Sequence, residues 1–290
     1  MPNTASFSMT EPFGTDAAYQ TAITGFAGLL DSAGWARTSN TGQVTLASAL
    51  RSGAATNYEV RKSNDGLTDL YLKITYALVN NDLFPIIVLG TGSDGAGTIT
   101  GPAGQTISMN TLATGSTSNT GTFTYQICWA TLHGSFVMSC KHDSSNPWLL
   151  CVERSRDSSG SPTSDYATMY MSQSYNVLAS RHLQQTLFIG GSYTAGKTSQ
   201  STAWASALPS ITNNVYSGDV GVSPVRPMIP HEGNTSKLLL IAKADFSTTG
   251  QFTTTVYGSS HNYMAMGSNG LFAFVGPGEM SGCQPCMLWE

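Results

Sequence analysis

At 290 residues, 40% of them hydrophobic, the chain has enough material for a buried core, and its size does not require a partner for folding. Charged residues make up 10% of it, against about 25% in ordinary soluble domains, and serine, threonine, asparagine and glycine take much of the difference. The net charge of −4 offers no basic surface to phosphate backbones or anionic lipids, so we do not expect nucleic acid as a partner.

The first residues, MPNTASFSMTEPFG, have neither the cationic start nor the apolar core of a signal peptide. No later apolar run approaches the ~18 residues that span a bilayer. We therefore expect no membrane insertion, and we expect the protein to stay in the cytoplasm of the cell that makes it until it is assembled or released.

The first predicted element is a helix of roughly 17 residues near the N-terminus. Thr15 or Asp16 can cap its first turn, and Gly34 can supply a left-handed stop. Its apolar residues recur at intervals of four, three and four, as one face of a helix requires: Tyr19, Ile23, Phe26 and Leu30.

Beyond the helix the period of the apolar residues changes to two. In LYLKITYAL, every second side chain from Leu70 to Leu78 is large and apolar or aromatic, which predicts a half-buried strand. Similar runs follow: PIIVL, TFTYQICWA, SFVMSC, WLLCVER, TLFIG, KLLLIAK, QFTTTVY, NYMAM, LFAFV and CMLWE. Turn clusters such as SNDG, SDGAG, RDSSGSPTSD and SNG separate many of them. The pattern predicts a mainly β fold, an antiparallel β-sandwich or barrel-like body with one N-terminal helix.

The predicted domain organisation is an N-terminal helical appendage and linker over residues 1–57 and a β-rich body over residues 58–290. The alternative is a body of two packed β subdomains. These would divide near residues 111–122 or 155–165, where polar stretches interrupt the strands.

GTGSDG, residues 90–95, has the letters of a dinucleotide-binding glycine loop and follows the apolar run FPIIVL. Such a loop must open a helix, and Gly97, Gly101 and Pro102 make a helix very unfavourable here. No Asp or Glu occurs from residue 96 through residue 142 to hold a ribose. The stretch is therefore predicted to be a glycine-rich hairpin loop.

A second stretch, GSYTAGKT, fits the phosphate-binding GxxxxGK[ST] pattern in every position. Its candidate phosphate-loop residues are Gly191, Gly196, Lys197 and Thr198. The later sequence lacks an acid at the end of an apolar strand for magnesium, because Lys243 stands between the run LLLIA and Asp245. We assign no cofactor, and a P-loop NTPase remains an alternative.

Cys283 and Cys286 have the CxxC spacing of zinc knuckles and redox motifs. A zinc site would need two more ligands, and Cys140 with His142 is the one close set. Because five cysteines and no second CxxC are present, we predict structural cysteines and no metal, with zinc at these four residues as the alternative.

Signatures of hydrolytic enzymes are missing from the sequence. No HExxH pair and no GxSxG elbow occurs, so no catalytic residue is assigned and the chain is not predicted to be an enzyme. Four carboxylates cluster around two arginines: Asp143, Glu153, Asp157 and Asp165. A solvated loop explains them, and a surface-glycan hydrolase stays an alternative.

Several stretches, from Tyr58 to Glu290, carry a family resemblance: YEVRKSNDGLTDLYLKITYAL, VLGTGSDGAGT, VERSRDSSGSPTSD, HNYMAMGSNG and the terminal MLWE. In this order they resemble a group of virion structural proteins encoded among the tail genes of tailed bacteriophages. In that group the stretch GTGSDGAGT is a turn at the end of a strand. The resemblance supplies no catalytic residues, and the GKT string and the CxxC depart from it.

The resemblance implies a structural component of a tailed-bacteriophage virion, in the tail, baseplate or tail tip, acting through permanent subunit interfaces. Its implied partners are copies of itself, other virion proteins, and a host surface glycan or receptor. The alternatives are a receptor- or glycan-binding tail component and a head decoration or collar protein. The low charge and the many aromatic residues are also typical of subunits held in permanent assemblies.

Overall fold

A computed structural model describes residues 4–103, 107–108, 121–129, 134–142, 148–176, 179–188, 193–195, 221–224, 238–243, 251–256, 258–265 and 283–289. Over these residues the chain is mainly antiparallel β, with three sheets and one α-helix near the N-terminus. The arrangement is sandwich-like and no barrel closes. The predicted fold class is confirmed.

The strands in chain order are β1 (Thr4–Glu11), β2 (Trp35–Arg37), β3 (Tyr58–Ser63), β4 (Tyr71–Val79), β5 (Asp82–Ser93), β6 (Ile99–Ala103), β7 (Ile107–Ser108), β8 (Gly121–Trp129), β9 (Phe136–His142), β10 (Trp148–Arg156), β11 (Pro162–Asn176), β12 (Ala179–Phe188), β13 (Tyr193–Ala195), β14 (Gly221–Pro224), β15 (Leu239–Lys243), β16 (Gln251–Val256), β17 (Ser259–Ala265) and β18 (Cys283–Leu288). The helix α1 is Asp16–Ser32, and two single 3₁₀ turns are Leu46–Ser48 and Arg51–Gly53.

Three sheets use these strands. Sheet I has seven strands in the order β1-β8-β9-β10-β11-β12-β13. Sheet II has six, in the order β2-β3-β4-β5-β6 with β7 also paired to β5, and sheet III has five, in the order β14-β15-β18-β17-β16. Strands β2 to β6 of sheet II and β8 to β13 of sheet I are meanders, in which each strand pairs with the next along the chain. Most of these pairs are antiparallel hairpins with short connections, whereas residues 38–57 link β2 to β3.

Helix α1 begins and ends where its sequence predicts. The Oγ1 atom of Thr15 accepts a hydrogen bond from the backbone N–H of Ala18 at 3.2 Å, which caps the first turn. Gly34 follows the helix with φ +80°, a conformation that glycine adopts without steric cost. Both end signals, and the length of 17 residues, are confirmed.

The main core lies where α1 packs against sheets I and II. The ring of Phe26 meets Tyr76 of β4 edge-on, with ring centres 6.0 Å apart, and Tyr125 of β8 at 5.7 Å. Trp35 of β2 meets Phe136 of β9 at 5.8 Å, again edge-on. Helix α1 thus belongs to the same buried cluster as both sheets. The division at residues 57 and 58 stays a prediction.

The sequence patterns did not predict every strand. These patterns do not identify β1, because TASFSMTE has only two large apolar residues, Phe7 and Met9, and few β-branched side chains. The turn predicted over RDSSGSPTSD is also too long: residues 157–161 connect the strands, and β11 already begins at Pro162. A strand can begin with proline because its missing N–H is tolerated at the first position.

Two glycines of α1 make a matched pair for measuring how closely β1 and the helix pack. A Cβ atom at Gly25 would lie 2.6 Å from the Phe7 ring, whereas a Cβ at Gly28 would meet nothing within 4 Å. We expect Gly28→Ala to raise the free energy of unfolding by about 0.5–1 kcal/mol through helix propensity. Gly25→Ala is expected to lower it by about 1–2 kcal/mol through overpacking. Urea denaturation of both variants checks this, and equal effects would contradict the close contact.

Candidate functional site

A polar cleft of about 530 Å³ opens at one end of sheet II. It lies where β2, β3 and β5 end and β4 begins, so four strands place side chains around it. The side chains that matter chemically are Arg37, Asn40, Lys62, Asn64, Tyr71 and Ser93. Its volume is within the range of small-ligand sites.

One wall of the cleft is the loop that follows β2, and hydrogen bonds fix it to the turn after β5. The Asn40 amide donates to the Ser93 hydroxyl, and the N–H of Thr41 donates to the Gly95 carbonyl at 2.8 Å. The Tyr58 hydroxyl bonds to the Thr41 carbonyl at 2.8 Å. These contacts hold the two loops together without any ligand.

Two cations line the cleft, and no carboxylate does so among the described residues. The Lys62 ammonium lies 2.7 Å from Asp69, and this hydrogen bond raises the pKa of Lys62. The Arg37 guanidinium donates to the Val44 carbonyl, and its Nε lies 4.0 Å from the buried Glu59. Both cations keep exposed surface, so they can also bind an anion from solution.

Beneath the cleft, a buried charge network joins α1, β2 and sheet II. The Arg61 Nε and Nη2 atoms donate to Glu59 at 2.6 and 3.2 Å, and both side chains are at most 2% exposed. Nη1 donates to Asp31 at 2.5 Å and to the Trp35 carbonyl at 2.7 Å. The Tyr76 hydroxyl donates to Glu59 as well. Burial alone would lower the pKa of Arg61, but its bonds to Glu59 outweigh burial and raise it.

A second buried cation anchors the loop that carries Asn64 and Asp69. Arg154 of β10 donates through Nε and Nη2 to Asp65 at 2.5 and 3.1 Å, and both side chains are at most 1% exposed. Nη2 also donates to the Thr68 carbonyl at 2.7 Å. The bidentate pair fixes sheet I to the loop between β3 and β4, and with it the floor of the cleft.

A carboxyl group is buried where β1 meets the β4–β5 hairpin. Glu11 is 2% exposed, and its Oε1 accepts a hydrogen bond from the N–H of Leu83 at 2.8 Å. Its Oε2 has no hydrogen-bond partner among the described residues. Burial raises the pKa of Glu11 to about 8, with a further increase from the charge of Asp82, against the lowering effect of the Leu83 bond.

The predicted hairpin at GTGSDG is confirmed. Residues 90–93 end β5, the turn follows, and β6 returns antiparallel from residue 99. Oδ1 of Asp94 accepts the N–H groups of Ala96 at 2.7 Å and Thr98 at 2.9 Å, which lowers the pKa of Asp94. Gly95 and Gly97 have φ of +78° and +92°, so the turn needs these glycines. They serve a sheet turn rather than a helix start.

The candidate phosphate-loop residues Gly191, Gly196, Lys197 and Thr198 lie outside the described residues. Tyr193–Ala195, within the same string, forms β13 and pairs antiparallel with β12. The assignment of no cofactor therefore stays a prediction, with the phosphate loop as its alternative.

The four candidate zinc ligands lie on two strands. Cys140 is buried in β9, which also holds His142, whereas Cys283 and Cys286 lie in β18. Burial raises the pKa of Cys140, which disfavours the thiolate that binds metal. Within the described residues, no group of three or more His, Cys, Asp or Glu side chains could hold a metal ion.

Three of the four clustered carboxylates have local roles, and Asp143 lies outside the described residues. Glu153 accepts from Arg156 at 2.9 Å. Asp157 closes the β10–β11 turn by accepting the N–H groups of Ser159 and Ser161 at 2.8 and 2.9 Å. It also accepts a hydrogen bond from the Ser159 hydroxyl at 2.6 Å, which is the main cause of its lowered pKa. Asp165 accepts from the Thr163 hydroxyl at 3.1 Å.

Two sheets end in strands whose exposed side chains are uncharged. Among the described strands, β1 pairs only with β8 at the edge of sheet I, and β16 pairs only with β17 at the edge of sheet III. The exposed side chains of β1 are Ser6, Ser8 and Thr10, and those of β16 are Gln251, Thr253 and Thr255. Neither strand contains lysine, arginine or proline, the residues that natural sheets use to block edge pairing.

No family model, no curated protein and no solved structure matches this chain. In the part of the chain that the structure describes, no helix has the length and apolarity to cross a membrane.

The sequence patterns missed the cleft and the two buried arginine pairs. Lys62 and Asn64 fall in a stretch that is simply polar, and the partners Asp65 and Arg154 are 89 residues apart. One signal was available: an arginine two residues from a glutamate within a strand, as in Glu59 and Arg61, places both on one face.

Proposed function

We propose that the chain is a structural subunit of a tailed-bacteriophage virion, in the tail, baseplate or tail tip, and that it assembles with copies of itself and with other virion proteins. The observation that carries the proposal is the pair of edge strands β1 and β16, whose exposed side chains are uncharged. An unprotected edge is a template for a strand of a neighbouring subunit. In a closed symmetric assembly such an edge is used once per subunit and then covered.

Two further observations support this role. The chain resembles virion structural proteins over strands that the structure describes, including β3, β4 and the hairpin at residues 90–99. Among its buried arginine–carboxylate pairs, those centred on Arg61 and Arg154 fix α1 and sheet I to sheet II. A rigid body suits a subunit that holds a fixed geometry among its neighbours.

A receptor- or glycan-binding tail component is the second candidate function. The polar cleft at the end of sheet II favours it, because the cleft has two cations and several amide and hydroxyl groups at the surface. The two functions are compatible, since assembly uses strand edges and the cleft lies among loops.

Self-association through β1 is tested by adding charge to its exposed side. Sedimentation velocity of the purified chain is expected to show concentration-dependent oligomers. In the double variant Ser6→Lys and Thr10→Lys, the apparent dissociation constant should rise by at least about tenfold, because two lysines at an edge oppose pairing with an identical strand.

The matched control places two lysines at exposed positions of α1, Ala17→Lys and Thr24→Lys, with the same change in net charge. This variant should associate like the wild type. A wild type that stays monomeric at every concentration, or a control that dissociates as readily as the β1 variant, would overturn assembly through β1.

The location of the protein in the virion has its own test: gold-labelled antibody against the chain should bind purified phage particles at the tail. Particles that lack the protein would overturn the virion role.

A further inference from the structure

We propose that the cleft at the end of sheet II binds an acidic saccharide through a sugar unit that carries a carboxylate. This inference sharpens the second candidate function by naming the ligand class. It does not rest on assembly through β1, and its test is independent of sedimentation.

The size and openness of the cleft suit a short stretch of saccharide. A volume of about 530 Å³ accommodates one or two sugar rings, and the open side lets the rest of a chain continue into solvent. Tyr71 lines the cleft and is half-buried, so part of its ring is available to cover the C–H face of a sugar.

Hydrogen-bonding groups are available for sugar hydroxyls. The side chains of Ser39 and Asn64 line the cleft, are exposed, and have no hydrogen-bond partner among the described residues. An amide and a hydroxyl both donate and accept, as a sugar hydroxyl does. Thr38 and Asn40 in the same wall are already bonded to each other at 2.9 Å, so they shape the cleft and leave recognition to their neighbours.

The charge of the cleft selects an acidic sugar over a neutral one. The chain carries a net charge of −4, yet the cleft is lined by Arg37 and Lys62 and by no carboxylate among the described residues. Lys62 has three N–H donors and Asp69 takes one of them, which leaves donors for a ligand carboxylate. Charge-assisted hydrogen bonds of this kind are about twice as strong as neutral ones.

The same charges favour a carboxylate over a phosphate dianion. Each cation already has a carboxylate nearby, Asp69 for Lys62 and Glu59 for Arg37, so the net positive field in the cleft is modest. A ligand with a single negative charge can be neutralised by the positive charge available in the cleft, whereas a dianion would need additional positive charge. The walls are set before binding, because Arg154 fixes the floor and Asn40 is bonded to Ser93, so little ordering is needed.

The test is isothermal titration of the full chain with three acidic probes: a trimer of galacturonic acid, a hyaluronan tetrasaccharide and an α2,8-linked sialic acid dimer. At least one should bind. A neutral galactose trimer should bind at least about tenfold more weakly, and sodium acetate at the same carboxylate concentration should not displace the acidic probe.

Matched lysine variants locate the site. Lys62→Gln removes a cation from the cleft, and because its ion pair is about 40% exposed the fold should tolerate the change. Lys73→Gln removes a cation from the neighbouring strand, where the ammonium lies 4.5 Å above the Tyr58 ring and outside the cleft lining. We expect Lys62→Gln to weaken binding by about tenfold and Lys73→Gln by less than about twofold.

Four results would overturn the proposal: no binding of any acidic probe, equal binding of the neutral trimer, displacement by acetate, or equal weakening by the two lysine variants. None of them bears on assembly through β1, so a failure here is distinguishable from a failure of the structural role.

Discussion

Replacing Arg61 with methionine is expected to lower the free energy of unfolding by about 3–5 kcal/mol. Arg61 and Glu59 form a bidentate pair that is almost fully buried, and Arg61 also holds Asp31 and the Trp35 carbonyl. Without the guanidinium of Arg61, the buried Glu59 carboxylate keeps the Tyr76 hydroxyl and a single cation, Arg37, whose Nε lies 4.0 Å away and whose side chain is about one-third exposed. Equilibrium denaturation in urea at pH 7 measures the loss.

Two controls separate the buried charge from ordinary effects of substitution. Lys62→Met breaks the exposed pair with Asp69 on the next residue of β3 and should change the stability far less than Arg61→Met, because solvent screens an exposed pair. The triple variant Glu59→Leu, Arg61→Met and Tyr76→Phe removes the three buried polar side chains at the centre of the network together and should recover most of the stability. If Arg61→Met costs no more than Lys62→Met, the network does not hold α1 and β2 on sheet II.

Replacing Glu11 with glutamine is expected to stabilise the protein at alkaline pH and to change little at pH 4. The pKa of Glu11 is raised from 4.5 to about 8 in the folded state, so the folded chain binds its proton more tightly than the unfolded chain does. Wild-type stability should therefore fall as the pH rises from about 4.5 to about 8. At about 1.4 kcal/mol per pKa unit, the upper limit of the loss is about 5 kcal/mol, and we expect about 2–5.

Urea denaturation of wild type and Glu11→Gln at pH 4.5, 6, 7 and 8.5 measures this difference. Groups other than Glu11 titrate in both proteins, so the difference between the two curves isolates this carboxyl group. Asp69→Asn, a change at an exposed carboxylate, is the control and should give a nearly constant difference across the range. A Glu11→Gln curve parallel to that of the wild type would show that the buried carboxyl is not protonated on folding.

Patterns within short stretches of the sequence predict those elements whose form is decided by residues of the same stretch. The spacing of Tyr19, Ile23, Phe26 and Leu30, with caps at both ends, is sufficient for α1. Alternation predicts β4, and its residues Leu72, Ile74 and Tyr76 are buried. The glycines of GTGSDG need a turn, and the missing acid and helix identify that turn as a hairpin.

Long-range polar pairing is what the sequence could not predict. By polarity, the face of β3 that carries Glu59, Arg61 and Ser63 would be assigned to solvent, yet the structure buries it. It is buried because partners come from elsewhere in the chain: Asp31 for Arg61, and Arg154 for Ser63. Glu11 and Leu83 are likewise 72 residues apart. The loop that carries Asn64 of the cleft is fixed by Arg154, so the cleft was not predictable from local patterns.

The pairing of β1 with β8 also sets an order of events during synthesis. Thr4 pairs with Cys128, which lies 124 positions later in the chain. At ~5–20 residues per second, a ribosome needs about 6–25 s to add that length. During this time β1 has emerged before β8, its partner among the described strands, and its exposed side chains carry no charge that opposes pairing with another copy. Under the proposed assembly through β1, we therefore expect pairing between nascent copies to compete with the pairing to β8 during this interval.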